Sequence, residues 1–205
     1  MGYEEPYKMS FSIGGLSLRE SLIIANTYSY ATDSDWTLAR NIVLEDNLLQ
    51  SRMVSSSKRM VGEVLPRLKS FSEKELHTFI SASDQDQRYL LWIAICRRYQ
   101  FIADFCREVL HDRYLSLKET VGIDEFNIFW SQQAIIHPEV ERISDLTKNK
   151  LRYVLFKMLQ EVGLLTRAFH INTVVLSPLV KDFIRVSDTN AFQYFTTIDE
   201  NGRRV

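Results

Sequence analysis

The chain has 205 residues, of which 45% are hydrophobic and 25% charged, and its formal net charge is −1. These values are ordinary for a globular protein of one or two small domains, and they exclude a strongly basic protein that coats nucleic acid non-specifically. Any binding of nucleic acid must therefore use a local positive patch, with acidic side chains gathered elsewhere.

The first half of the chain is predicted to be helical nearly throughout. The run Asp33-Ser34-Asp35 offers an N-cap before one helix, and the Ser72–Glu75 pair matches a capping box that opens another. Between them, a helix is expected to start at Ser55–Ser57. It should kink or end near Pro66, because proline lacks a backbone donor and clashes one turn back.

The strongest helical block runs from Asp86 to about Leu115. Its first half, Tyr89–Cys96, is apolar all round, which predicts a buried helix, and a break is expected near Arg98 or Gln100. This apolar run is much shorter than the roughly 20 residues that a membrane-spanning helix needs. The sequence therefore predicts no membrane segment.

Cysteine usage and the N-terminus both favour a reducing cytoplasm as the location. Cys96 and Cys106 lack metal-like spacing and resemble small buried hydrophobic residues more than a disulfide framework. The opening MGYEEPYKMS is acidic where a secretory signal would be basic.

The segment Ser144–Val186 is the most informative part of the chain. Ser144 or Asp145 is expected to start a long helix, and Gly163 follows it where a C-cap glycine belongs. The apolar face of this helix is predicted from the spacing i, i+3, i+4, i+7, i+8 and i+11 of Leu151, Val154, Leu155, Met158, Leu159 and Val162.

Two β-prone runs, Leu164–Phe169 and Thr173–Leu176, follow this helix around His170–Asn172. Ser177–Pro178 then has the form of an N-cap with proline at the first helical position. A basic helix leading into a hairpin is typical of a winged-helix module, which often places that helix in the DNA major groove. The ordinary alternative is a core helix with a solvated basic side.

The predicted fold is therefore mainly α, a multi-helix bundle with a small C-terminal β-hairpin in a winged-helix-like unit. We expect a helical bundle over residues 1–117, and Asp124 should cap a helix shortly after it. A helical unit with the hairpin over residues 118–205 should pack tightly on the first.

Enzymatic signatures are missing. The four histidines show no metal-ligand spacing, the seven glycines form no phosphate-binding loop, and no G-x-S-x-G sequence occurs. Residues brought together only by the fold leave no such signature. We nevertheless expect a non-enzyme without catalytic residues, metal, cofactor or small-molecule substrate.

Three groups of basic residues are candidates for contact with DNA phosphates. The first combines cations with serine hydroxyls near a helix start: Arg52, Ser56, Ser57, Lys58, Arg59, Arg67 and Lys69. The second is Arg97 and Arg98, and the third is Lys148, Lys150, Arg152 and Arg167, with Lys148 and Arg152 expected opposite the apolar stripe.

Each group also has an ordinary interpretation. The serines can merely cap a helix, and the second group can form internal salt bridges. Most aromatic residues fall at inward spacings. Tyr99 and Tyr153, beside arginines, are the two that we single out as possible surface contacts.

The order of these elements resembles the BrxA family, small components of BREX bacteriophage-exclusion systems. The resemblance covers about Leu18 to Ile184. It is carried by NIVLEDNLLQSRMVSSSKRMVGEVLPRLK, LLWIAICRRYQFIADFCREVL, TKNKLRYVLFKMLQEVGLL and VVLSPLV.

The resemblance implies a cytoplasmic, mainly helical protein of a phage-defence locus, similar in fold to NusB-type antitermination proteins. It also implies binding of double-stranded DNA and a role other than the system's methyltransferase or ATPase. Two alternatives remain open: a protein-interaction subunit that contacts other BREX proteins, and an RNA-binding protein, the latter resting on fold analogy alone.

Overall fold

The computed structural model describes residues 7–11, 14–32 and 34–205. Helices dominate this part of the chain. It contains eleven α-helices, which are α1 (Leu18–Asn26), α2 (Trp36–Glu45), α3 (Val54–Leu68), α4 (Glu73–Ser81), α5 (Asp84–Arg98), α6 (Gln100–Phe105), α7 (Asp112–Leu115), α8 (Ile123–Ile136), α9 (Pro138–Glu141), α10 (Asp145–Val162) and α11 (Pro178–Ser187). Thr27–Ala31 and Cys106–His111 are π-helical, and Thr189–Tyr194 is a 3₁₀-helix.

The chain forms two compact units. The α1–α5 unit comprises Leu16–Arg98, and the α6–α11 unit comprises Met1–Gly15 together with Tyr99–Val205. The boundary predicted between residues 117 and 118 falls within the second of these units, and that division stays a prediction.

The helix starts follow the sequence signals closely. A side-chain oxygen accepts a first-turn backbone N–H at all four of the predicted N-caps Asp35, Ser72, Ser144 and Ser177. The predicted Asp124 cap is wrong. Helix α8 begins at Ile123 with Gly122 at its N-cap, two residues before the predicted cap, and the backbone N–H of Gly122 donates to Glu125 Oε2 at 2.7 Å.

Helices α5 and α3 carry the basic residues predicted in the α1–α5 unit, and neither is an ordinary amphipathic helix. In α5, every residue of the predicted apolar run Tyr89–Cys96 is buried, which confirms the buried helix, and the predicted break occurs at Tyr99.

Helix α3 extends past Pro66 and ends at Leu68. This is tolerated because the carbonyl that loses its partner belongs to the exposed Gly62, where water can hydrate it.

The core of the α6–α11 unit is built from aromatic rings. Phe101 and Phe105 each meet Phe129 edge-on, with centroids 5.1 and 5.4 Å apart, and Phe156 on α10 meets Phe105 at 6.1 Å. Edge-to-face pairs of this kind add to the stabilisation gained from burial alone. The apolar face predicted for α10 is buried as expected.

The predicted β-hairpin, and with it the winged-helix-like unit, is wrong. The part of the chain that the structure describes contains no β-strand, only four isolated bridge pairs. The first predicted arm is taken up by the end of α10, because the N–H groups of Leu164 and Leu165 both donate to the carbonyl of Leu159, at 2.9 and 3.2 Å. Phe169, at the end of that arm, has a left-handed φ of 63°, which extended strands do not use.

The predicted turn and the second arm both hydrogen-bond to other parts of the chain. The N–H of Ile171 donates to the carbonyl of Glu119 at 2.8 Å, and the N–H of Val174 donates to the carbonyl of Thr196, also at 2.8 Å. The segment pairs with itself only at the isolated Leu165–Ile171 bridge, where the N–H of Asn172 donates to the carbonyl of Leu164 at 3.0 Å. Its other backbone groups use more distant neighbours, and no continuous ladder forms.

A buried hydrogen-bond network holds Tyr7 in the α6–α11 unit. The Tyr7 hydroxyl donates to Asp104 Oδ2 at 2.9 Å, and its ring stacks on His137 with centroids 3.8 Å apart. Asp104 also accepts a hydrogen bond from Arg107. Burial and the negative charge of Asp104 raise the pKa of the Tyr7 phenol far above its usual range.

We expect Tyr7→Phe to cost about 1.5–3 kcal/mol at neutral pH, because a hydrogen bond to a carboxylate is lost. In the wild type, the raised folded-state pKa favours the neutral phenol. The contribution of the Tyr7 phenol to the free energy of unfolding is fully present at pH values below the unfolded-state pKa of about 10. It is lost as the pH rises above that value. Urea unfolding of both proteins should therefore show the stability gap narrowing at alkaline pH. A gap that stays constant up to about pH 11 would contradict this assignment.

Candidate nucleic-acid interface

The start of α3 carries an exposed group of cations, which we call the α3 cluster: Arg52, Ser56, Lys58 and Arg59. All four side chains are exposed, and none of the three cations forms an ion pair with a described residue. No side chain caps this helix, since its N-cap position is occupied by Met53. The free N–H groups of a first helical turn and nearby cations both attract phosphate oxygens.

Two residues predicted for this group point into the protein. Ser57 is only 2% exposed. Arg67 is fully buried; its Nη1 donates to the carbonyl of Leu16 and its Nη2 contacts Glu63 Oε1, both at 3.2 Å. Arg67 is therefore a structural residue and not a surface contact. Lys69, just past the end of α3, is exposed.

The second predicted group also serves the interior. Arg97 Nη2 lies 2.9 Å from Glu75 Oε1, and Arg97 Nη1 donates to the carbonyl of Ser70 at 3.3 Å. Burial would raise the pKa of Glu75, but hydrogen bonds from Arg97 and Ser72 outweigh it and hold that pKa below its usual value. Arg98 is half-buried and has partners within the protein. The salt-bridge interpretation is confirmed for Arg97.

The outward-facing side of α10 differs from the one predicted. Leu146, Lys150, Tyr153 and Lys157 recur at i, i+4, i+7 and i+11 and form what we call the outer stripe of α10. Leu146 is 82% and Tyr153 66% exposed, and Lys150 is exposed without an ion pair to any described residue. Lys157 Nζ is held by the carbonyl of Gly14 at 2.9 Å.

Lys148 and Arg152, predicted to lie opposite the apolar stripe, are half-buried at its edge. Lys148 Nζ lies 5.5 Å from the centroid of the Trp130 ring, a distance at which cation and ring attract each other. Helical spacing explains why Lys148 is half-buried. Lys148 precedes Leu151 by three residues and Leu155 by seven, which places it on the apolar column itself.

Arg167 and the two singled-out tyrosines have different environments. Arg167 is exposed in the turn Thr166–Phe169, which occupies the position of the predicted wing. Tyr99 is buried and packs against Phe11 at 5.7 Å, whereas Tyr153 stands exposed in the outer stripe. Tyr153 therefore belongs in the candidate interface. Its position seven residues after Leu146 indicates in the sequence that both side chains lie on the same outward side of α10.

The exposed residues suit contact with anions. Lysine and arginine neutralise phosphates, and an exposed tyrosine between lysines can pack on sugars or bases. Among residues 7–11, 14–32 and 34–205, no group of three histidine, cysteine, aspartate or glutamate side chains is arranged to hold a metal ion.

None of the helices in the described part of the chain combines the length and the apolar character needed to cross a membrane.

Comparison with protein families supplies the context for this surface. The BrxA family model matches residues 5–188. The chain belongs to the BrxA family. The matched range contains every candidate residue of the interface. BrxA proteins are components of BREX systems.

Two curated relatives and one solved structure agree with this membership. The BREX protein BrxA of Escherichia coli O9:H4 strain HS is 27% identical over 150 residues, covering 73% of this chain and 70% of that protein. The BREX protein BrxA of Paramagnetospirillum magneticum is 24% identical over 185 residues, covering 89% and 92%. A crystal structure of an uncharacterized protein from Magnetospirillum magneticum has a TM-score of 0.77 at 23% identity. It covers 92% of this chain and 97% of the other, and it shows that the two chains share a fold.

Proposed function

We propose that this BrxA-family chain is a non-enzymatic accessory protein of a BREX phage-defence system in the bacterial cytoplasm and that it binds duplex DNA through phosphate contacts. The observation that carries the proposal is a set of exposed cations without ion pairs to the described residues: Arg52, Lys58, Arg59 and Lys150. Three of these cations, Arg52, Lys58 and Arg59, lie within eight residues at the start of α3, so they form a local positive group in a chain whose net charge is −1.

The structure supports a smaller contact set than the sequence suggested. Arg67, Arg97 and Ser57 are engaged or buried inside the α1–α5 unit. Lys69 and Arg167 are exposed and Lys148 and Arg152 are half-buried, so these four cations are secondary candidates. Such contacts fix a protein on the duplex but read no sequence, so we expect little preference among DNA sequences.

Salt-dependent binding tests the proposal. Fluorescence anisotropy with a labelled duplex of mixed sequence should show log K falling linearly with log salt. With four phosphate contacts, the slope should be about −3.6, which is four times the roughly 0.9 expected for each contact. Affinity that ignores ionic strength, or no binding at low salt, would argue against phosphate contact. An excess of unlabelled double-stranded RNA should compete more weakly than unlabelled DNA; equal competition would favour the RNA-binding alternative.

A protein-interaction role is the second candidate, and family membership favours it because other BREX proteins are the natural partners. A pull-down from cells carrying the complete locus separates the two roles. If the charge-reversed α3 cluster abolishes DNA binding but leaves partner recovery unchanged, the protein has both functions on different surfaces.

A further inference from the structure

Two apolar side chains are exposed to solvent where α3 begins. Met53, at the N-cap position, is 65% exposed, and Val54, the first residue of the helix, is 66% exposed. We call this pair the α3 tip. Single exposed apolar residues are common in folded proteins, so the surroundings of the α3 tip decide what it can do.

Met53 occupies a position where a polar residue would stabilise the helix. Its backbone, with φ −125° and ψ 134°, has the extended conformation in which serine or aspartate caps a helix, yet no side chain caps α3. The neighbouring serines Ser55–Ser57 all follow this position. An exposed methionine here contributes neither a cap nor burial, so the stability of the fold does not account for it.

The backbone on both sides of the α3 tip is fixed by hydrogen bonds. Asn47 Nδ2 donates to the carbonyl of Ser51 at 3.2 Å, and the N–H of Ser51 donates to Asn47 Oδ1 at 3.1 Å. Between them, Leu49 is buried and anchors the loop. On the helix side, the N–H of Ser56 donates to the carbonyl of Met53 at 3.0 Å. The α3 tip is therefore preorganised and loses little conformational freedom when it binds a partner.

Positive charge flanks the α3 tip on both sides. Arg52 comes directly before it, and Lys58 lies one helical turn after Val54 on the same side of α3. No acidic residue occurs between Asp46 and Glu63. A partner complementary to this surface carries negative charge on either side of an apolar gap. Double-stranded DNA has this character, because its phosphates flank stacked bases that an apolar side chain can separate.

We propose that Met53 inserts between two neighbouring base pairs from the minor groove while the cations of the α3 cluster bind the flanking phosphates. This inference rests on the proposed binding of duplex DNA and adds a consequence to it, which is a bent duplex. Apolar side chains used in this way, methionine among them, partly unstack a base step and kink the duplex by about 20–90°.

An anionic membrane also attracts apolar and cationic side chains together, but the α3 tip suits it less well. A helix that lies in a membrane surface presents a continuous apolar face along its length. Helix α3, which the structure describes throughout, exposes no large apolar side chain after Val54. Two adjacent residues form a narrow wedge, which matches the gap between two base pairs.

Energy transfer between dyes at the two ends of a duplex tests the kink with the full-length chain. A duplex of about 30 base pairs is nearly straight when free, because the persistence length of DNA is about 150 base pairs. The wild-type protein should bring the ends closer and raise the transfer. Met53→Ala should lose most of this rise but keep the salt slope, because Met53 neutralises no phosphate.

Three further variants serve as controls for the kink. Met53→Leu should keep the rise in energy transfer, since leucine can act as the same wedge. Val186→Ala, at an 84% exposed position on α11, should behave like the wild type. Met53→Ser should resist a higher urea concentration than the wild type, because serine caps α3, and yet lose the rise as Met53→Ala does.

A mismatched base pair provides a second measurement. Unstacking costs least at a mismatch, so the wild type should bind a mismatched duplex more tightly than a matched one. Met53→Ala should bind the two duplexes with equal affinity, because it has no wedge to insert. Anisotropy titrations of both duplexes give this comparison.

The outcomes separate this inference from the proposed function. Absence of DNA binding at low salt would overturn both. Salt-dependent binding with the same energy transfer for the wild type and Met53→Ala would overturn the wedge alone and leave phosphate binding intact. Binding to phosphatidylserine vesicles that Met53→Ala abolishes, together with an unbent duplex, would overturn the wedge and assign the α3 tip to a membrane surface.

Discussion

Arg67→Ala is expected to destabilise the protein by about 3–5 kcal/mol, because the partly buried carboxylate of Glu63 loses its ion pair with Arg67 and the carbonyl of Leu16 loses a hydrogen bond from it. Urea unfolding followed by circular dichroism measures this effect. Lys69→Ala, two residues further on and exposed, is the matched control and should change stability by less than about 0.5 kcal/mol.

A double variant distinguishes a buried charge from a general packing defect. Replacing both partners, in Arg67→Met with Glu63→Met, removes the pair without leaving a charge behind and should recover much of the lost stability. A single variant that costs less than about 1 kcal/mol would show that Arg67 is free to serve at the surface, as the sequence alone suggested.

Charge reversal of the α3 cluster is expected to weaken DNA binding strongly. Lys58→Glu combined with Arg59→Glu should reduce the salt slope by about two, one for each phosphate that is no longer neutralised, and should weaken binding to all sequences alike. Lys150→Glu should reduce the slope by about one on the same basis. Anisotropy titrations at several salt concentrations give both quantities.

Matched controls exist in both units. Lys74→Glu in the α1–α5 unit and Lys118→Glu in the α6–α11 unit change the net charge by the same amount per site, and both lysines are exposed. They should leave the salt slope unchanged. Equal weakening by Lys74→Glu and Lys58→Glu would mean that net charge, rather than the α3 cluster, governs binding.

The sequence predicted helix starts and buried faces well because both depend on local chemistry. A serine or aspartate reaches its own first-turn N–H groups whatever the rest of the fold does, and four such caps were placed correctly. The apolar periodicity of α10 and the all-round apolar run of α5 likewise identify their buried residues without knowledge of any partner.

The hairpin failed because strand pairing is not a local property. Residues 164–176 have β-prone side chains, but they form only one isolated bridge with each other, and other N–H groups of the segment donate to Leu159, Glu119 and Thr196. The last two of these lie 52 and 22 residues away from Ile171 and Val174, the residues whose N–H groups they accept. Nothing in a window around the segment shows where its N–H groups will find their acceptors.

The candidate interface was predicted only in part, for a related reason. The sequence does not show whether a basic residue pairs with a carboxylate in the folded protein. Arg59 and Arg67 look alike in the same helix, yet one is exposed and the other is fully buried against Glu63. Lys150 and Tyr153 could have been placed outward by careful helical spacing, since they continue the column that starts at Leu146.

The amino-acid sequence by itself determined the helical class, most helix starts, the main buried faces and the resemblance to the BrxA family, because caps, periodicity and short motifs act over a few residues. Only the tertiary structure decided which basic residues are engaged in ion pairs, as Arg67 and Arg97 are, and how residues 164–176 satisfy their backbone. Those outcomes depend on interactions between residues far apart in the chain, where burial and pairing compete with hydration.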